Sequence, residues 1–195
     1  MQGAGFGRPT ARRPCWSRTV ALARGGTGMT GSATTKDFDG GLVMEAGPGS
    51  DVVICTFGGI QQGVGMPVFE FRRILAQFPA DRLFLRDIRQ AWYHNGVEGL
   101  GSSLLEVEDG LSRLLAPYRR TVFVGNSMGG FAALYFGSRL AVDSVMAFAP
   151  QTFIGPMKRL RARDFRWRRQ MARLHRRWLL RPHVFDLARL PLRRP

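Results

Sequence analysis

Lysine is almost missing from this chain, with only Lys36 and Lys158 standing against 27 arginines. That imbalance reads more naturally as a GC-rich coding bias than as a phosphate-binding surface, because phosphate sites use lysine freely. Cysteine is equally scarce. Cys15 and Cys55 are too few for a disulfide framework, and Cys55, set in an apolar run, reads as a small buried hydrophobe. No apolar stretch approaches the ~18–20 residues that a membrane span needs. Arg12 and Arg13 are followed by no apolar segment of the kind a secretory signal carries. These absences make a reduced, soluble, cytoplasmic protein the expectation. Acids are missing from residues 1–30, which hold five arginines, and sparse in 151–195, where Lys158 and thirteen arginines face only Asp164 and Asp186. Residues 51–150 hold nine arginines and nine acids, so the net charge of +15 belongs to the two ends and leaves the middle neutral.

What is present is a globular core. At 195 residues, 45% apolar and 11% aromatic, the chain can bury one domain of ordinary size. Residues 1–40 are rich in Gly, Ser, Thr, Ala and Arg without a sustained period, and are expected to be disordered. Met29 stands where acids first appear and is a candidate alternative to Met1 as the start. A core is expected over 41–155, followed by a basic helical tail or truncated cap over 156–195.

Within the core, Asp51–Phe57 is a short β-branched run of the kind buried on both faces, closed by Gly58-Gly59. After Pro67, the spacing of Val68, Phe69, Phe71, Ile74, Leu75 and Phe78 predicts a helix. Arg82–Arg86 is a second strand, Ser102–Leu115 a helix opened by a Ser103/Glu106 capping box, and Thr121–Val124 a third strand. Met128–Leu140 is a further helix and Asp143–Phe148 a fourth strand. Strands alternating with helices predict an α/β fold, a mostly parallel sheet with helices on both faces. Ligands of such sheets bind beyond the carboxyl ends of the strands.

Directly after the third strand comes Gly125-Asn126-Ser127-Met128-Gly129-Gly130, then a helix at once. This is Gly-x-Ser-x-Gly in the strand–turn–helix setting that a nucleophilic serine requires. Gly125 and Gly129 keep Cβ atoms away from a tight turn, and Ser127 is the candidate nucleophile. The backbone N–H of Met128, at a helix start, is the expected first oxyanion donor, and one from Gly59 or Ile60 the second. Trp92 and His94, after Asp87 at a strand end, are candidate substrate contacts or part of a packed loop.

These residues resemble the α/β-hydrolase superfamily, most closely bacterial serine hydrolases with a Gly-Asn-Ser-x-Gly-Gly elbow followed by an Ala-Phe-Ala-Pro-Gln segment, here Ala147 to Gln151. The resemblance covers about residues 41–155. It implies a partial α/β-hydrolase fold, and hydrolysis of an ester, thioester or amide through an acyl-enzyme on Ser127, with no metal or organic cofactor. Family members add an Asp after a seventh strand and a His after an eighth. After Pro150 this chain offers Asp164, Asp186, His175 and His183 without further β-like runs, so the expectation is truncation before the rest of the triad. Ser127, Asp164 and His183 follow the family's order, whereas His94 precedes the serine. Alternatively, the arginine-rich tail makes this a non-catalytic hydrolase-like protein that binds nucleic acid or an anionic membrane.

Overall fold

In the computed structural model the described residues are 35–38, 40–60, 68–178 and 185–190. All of them fall in a unit running from Ala33 to Pro195. Six strands form one sheet: β1 Thr35–Phe38, β2 Leu42–Glu45, β3 Val52–Phe57, β4 Asp81–Leu85, β5 Arg120–Asn126 and β6 Ser144–Phe148. Their order is β1-β2-β4-β3-β5-β6. β4, β3, β5 and β6 run parallel, and β2 is antiparallel to both β1 and β4. The helices are α1 Arg72–Leu75, α2 Leu104–Leu115, α3 Met128–Leu140, α4 Pro156–Arg161 and α5 Arg168–Trp178.

The parallel strands buried at the centre carry no alternation because both faces are covered. On one face, Phe57 meets Phe123, Phe136 and Tyr93 with ring centroids 5.1–5.8 Å apart. On the other, Ile54, Phe84, Val124 and Val43 pack with Phe69 and Leu75. A buried charge sits on that second face. Arg82 donates to Glu45 and to the carbonyls of Leu75 and Phe78, so the cation closes the end of α1 instead of lying unpaired.

Three expectations change. Thr35–Phe38, assigned to the disordered N-terminal segment, pairs with β2 as a strand; residues 1–34 lie outside the described residues, Met1, Cys15 and Met29 among them. The helix expected along Val68–Phe78 shrinks to Arg72–Leu75, because Phe71 takes a left-handed φ of 66° immediately before it. Phe69 and Leu75 are buried, while Val68, Ile74 and Phe78 stay exposed. β6 is not covered on both faces. Ser144, Met146 and Phe148 face outward, and Met146 and Phe148 are 47% and 52% exposed. The residues expected to form a basic helical tail do contain helices, α4 and α5, and the chain then returns so that Phe153 bridges Asp186.

Candidate active site

The register of the sheet brings one set of loops together. Phe57 pairs with Leu85 and Gly125, and Gly125 with Ala147, so β3, β4, β5 and β6 end at the same level. Gly58-Gly59, Asp87, Ser127 and Gln151 follow those ends. Backbone strain collects there too: Gln90, Trp92, Tyr93, Ser127 and Ala149 are all non-glycine residues with positive φ.

Ser127 has φ 52°, ψ −112° and sits between β5 and α3. Its N–H donates to the Phe148 carbonyl at 2.9 Å, and its carbonyl accepts from Phe131 N–H at 3.1 Å. The turn is possible because its flanks have no side chains. A Cβ on Gly125 would lie 2.2 Å from the Gly129 oxygen, and one on Gly129 would lie 1.9 Å from the Phe57 oxygen. Met128 is the first residue of α3, a position whose N–H has no acceptor within its own helix.

Gly59 is the neighbour on the β3 side. A Cβ built on it would lie 3.7 Å from the Ser127 Cβ, so this loop passes beside the serine. The Gly59 N–H donates to Glu70 Oε1 at 3.0 Å. Ile60, the next residue, is half-buried.

The orientation of the Gly58–Gly59 peptide is set by the tyrosine between Trp92 and His94. Tyr93, fully buried, donates its hydroxyl to the Gly58 carbonyl at 3.0 Å and to the Leu85 carbonyl at 3.3 Å. In a trans peptide the carbonyl and the next N–H point in opposite directions. Holding the Gly58 oxygen against Tyr93 therefore turns the Gly59 N–H away, toward the side where Glu70 and Ser127 lie. Burial pushes the Tyr93 phenol well above its ordinary value, which keeps it a neutral donor. Tyr93 is itself held from Asp87, whose buried carboxylate accepts the N–H groups of Arg89, Ala91 and Tyr93. The signal for this role was available: an acid just past a strand end, with an aromatic carrying a hydroxyl a few residues on.

Trp92 and His94 are both fully buried, which favours the packed-loop alternative over substrate contact. The Trp92 indole N–H donates to Gln151 Oε1 at 3.2 Å. That bond leaves Gln151 Nε2 buried without a partner. His94 Nδ1 lies 3.1 Å and 2.9 Å from the Ala91 and Trp92 carbonyls, with the ring between Phe131 and Phe185. Asp164 is engaged by Arg159 and Arg166. His175 Nε2 donates to the Ile154 carbonyl at 2.7 Å. Asp186 accepts from the Ala188 N–H and is paired with Lys158. His183 lies outside the described residues.

The strand order, the parallel centre and the strained serine between β5 and the next helix agree in their arrangement. The fold is that of the α/β-hydrolases. Solved structures superpose on the chain at low identity. The capsule O-acetyltransferase of Neisseria meningitidis serogroup A superposes with a TM-score of 0.55 at 16% identity, covering 86% of this chain and 69% of that one. Esterase B from Lactobacillus rhamnosis gives 0.49 at 12% identity, covering 76% and 56%. The Staphylococcus aureus fluorophosphonate-binding serine hydrolase FphF gives 0.41 at 12% identity, covering 70% and 61%. No family model and no curated protein matches the chain.

Proposed function

We propose that this α/β-hydrolase-fold chain performs acyl chemistry at Ser127, cleaving an ester, thioester or amide, or passing its acyl group to another hydroxyl. The observation that carries this reading is the elbow itself: a serine at φ 52°, ψ −112° between two glycines that admit no Cβ, on the first turn of a helix. Such strain persists only where the surrounding structure enforces it, and it clusters where a side chain must be presented.

In the proposed reaction Ser127 Oγ attacks the acyl carbon and gives its proton to a base. The carbonyl π bond becomes an oxyanion, received by the Met128 N–H and, once Glu70 withdraws, the Gly59 N–H. The oxyanion collapses, the bond to the leaving group breaks, and the leaving group takes a proton. Water or an acceptor hydroxyl then releases the acyl group from Ser127 by the same steps in reverse. Transfer to a hydroxyl stands beside hydrolysis because a capsule O-acetyltransferase shares the fold.

Intact-mass analysis after a fluorophosphonate probe tests the reading. Rapid addition of one probe to the purified chain, absent in Ser127→Ala, is the expected result. A folded protein that takes up no probe, or takes it up equally in the variant, would overturn it.

A further inference from the structure

The exposed side of α5 is strongly basic. Its inner side is settled: Met171 and Leu174 are buried, Gln170 reaches Gln90, and His175 holds the Ile154 carbonyl. The outer arc carries Arg168, Arg169, Ala172, Arg173, Arg176 and Arg177, all exposed. The helix contains no acid. Nearby acids are committed elsewhere, Asp164 to Arg159 and Arg166, and Asp186 to Lys158 and Arg189. Among the described residues, Arg169, Arg173, Arg176 and Arg177 have no ion-pair partner.

This arrangement is unfavourable for the helix alone. Arg169, Arg173 and Arg177 repeat at i,i+4, where like charges repel. Arg168 and Arg169 also occupy the first turn, where the helix dipole disfavours a cation. An anionic partner along the arc would remove both costs. The repeat sets these arginines roughly 6 Å apart along the axis, a spacing on the order of one sugar residue.

We infer that the arginine arc of α5 is a docking surface for an acidic polysaccharide, a linear glycan bearing a carboxylate or sulfate on successive sugars. Two other polyanions fit less well. An interfacial membrane helix inserts its apolar side, and the apolar side of α5 is spent inside the protein. Single-stranded nucleic acid is gripped by aromatic platforms on which bases stack. Among the described residues the arc itself carries none, the flanking Trp167 is half-buried, and the exposed Phe165 has the Arg168 guanidinium 6.0 Å over its ring. The surface stands independently of chemistry at Ser127, although α5 packs on the loops at the same end of the sheet.

The test uses a fluorescein-labelled decagalacturonate and anisotropy on the full chain. Two triple variants of equal charge loss are compared: Arg169→Gln/Arg173→Gln/Arg177→Gln on the arc, and Arg73→Gln/Arg113→Gln/Arg120→Gln elsewhere. Glutamine keeps the helix propensity of arginine, and matching thermal melts check folding. The arc variant is expected to bind on the order of tenfold more weakly and to lose part of the salt dependence. The control is expected to shift by less than twofold, and Ser127→Ala to bind as the parent does. Equal weakening in both triples, absence of binding by the parent, or tighter binding of decathymidylate or phosphatidylserine vesicles would each overturn the inference.

Discussion

At the scale of single residues, two side chains act on one N–H group with opposite sign. Tyr93 turns the Gly59 N–H away from itself, in a loop that passes beside the serine, and Glu70 occupies it. Tyr93→Phe removes a buried hydroxyl from two carbonyls, and should cost about 1 kcal/mol of stability and slow fluorophosphonate labelling of Ser127 roughly tenfold. Glu70→Ala frees the donor and should speed labelling severalfold. If neither variant changes the labelling rate, Gly59 is not the second oxyanion donor. The sequence made part of this legible. The Gly-x-Ser-x-Gly pattern located Ser127 because steric exclusion at Gly125 and Gly129 leaves a local trace. It named Trp92 and His94 over the tyrosine between them, since which of three adjacent aromatic rings reaches Gly58 depends on left-handed backbone at Trp92 and Tyr93 that composition does not encode.

At the scale of elements, the turn joining α4 to α5 rests on an ion cluster. The Asp164 carboxyl is held at about 2, chiefly by the hydrogen bond from Arg166, with Arg159 adding to it against the cost of burial. Because the folded value is depressed, the contribution is complete above the ordinary carboxylate range and disappears as pH falls through that range toward 2. Asp164→Asn should therefore lower stability by about 1–2 kcal/mol near neutrality. The deficit should vanish as pH drops from about 4 to 2, which chemical denaturation across pH would detect. Asp164 was legible as a candidate acid only by its place in chain order; its arginine partners show that order is a weak guide to contact. The strands β3, β4 and β5 were legible because central parallel strands are uninterrupted apolar runs. The helix around Val68–Phe78 was overextended because apolar spacing records which positions could share a face, and Phe71 breaks the backbone regardless.

At the scale of the whole molecule, charge and apolar surface are distributed unevenly. The net charge of +15 lies in the ends while the core is balanced, which the sequence displays directly because counting needs no geometry. The exposed edge was hidden from it. Among the described residues β6 is the last strand of the sheet, with Met146 and Phe148 outward and Phe71 against Phe148. An unpaired edge with apolar side chains invites association. Met146→Lys/Phe148→Lys should make sedimentation less dependent on protein concentration without lowering the melting temperature. An unchanged concentration dependence would show that β6 is not where copies meet.

The tie between Ser127 N–H and the Phe148 carbonyl has a consequence for how the chain comes to be reactive. The serine's turn is closed by the end of the next strand, so α3 can coil early while the elbow waits for β6 to dock. Non-local pairing of this kind must meet the entropy of closing the intervening loop before it forms, whereas a helix coils locally. On the proposed role of Ser127, a nascent or half-folded chain would carry an ordinary alcohol at position 127, and reactivity would arrive only with completion of the sheet around it. Acyl donors met during synthesis would be left alone, and any assay of Ser127 doubles as an assay of finished folding.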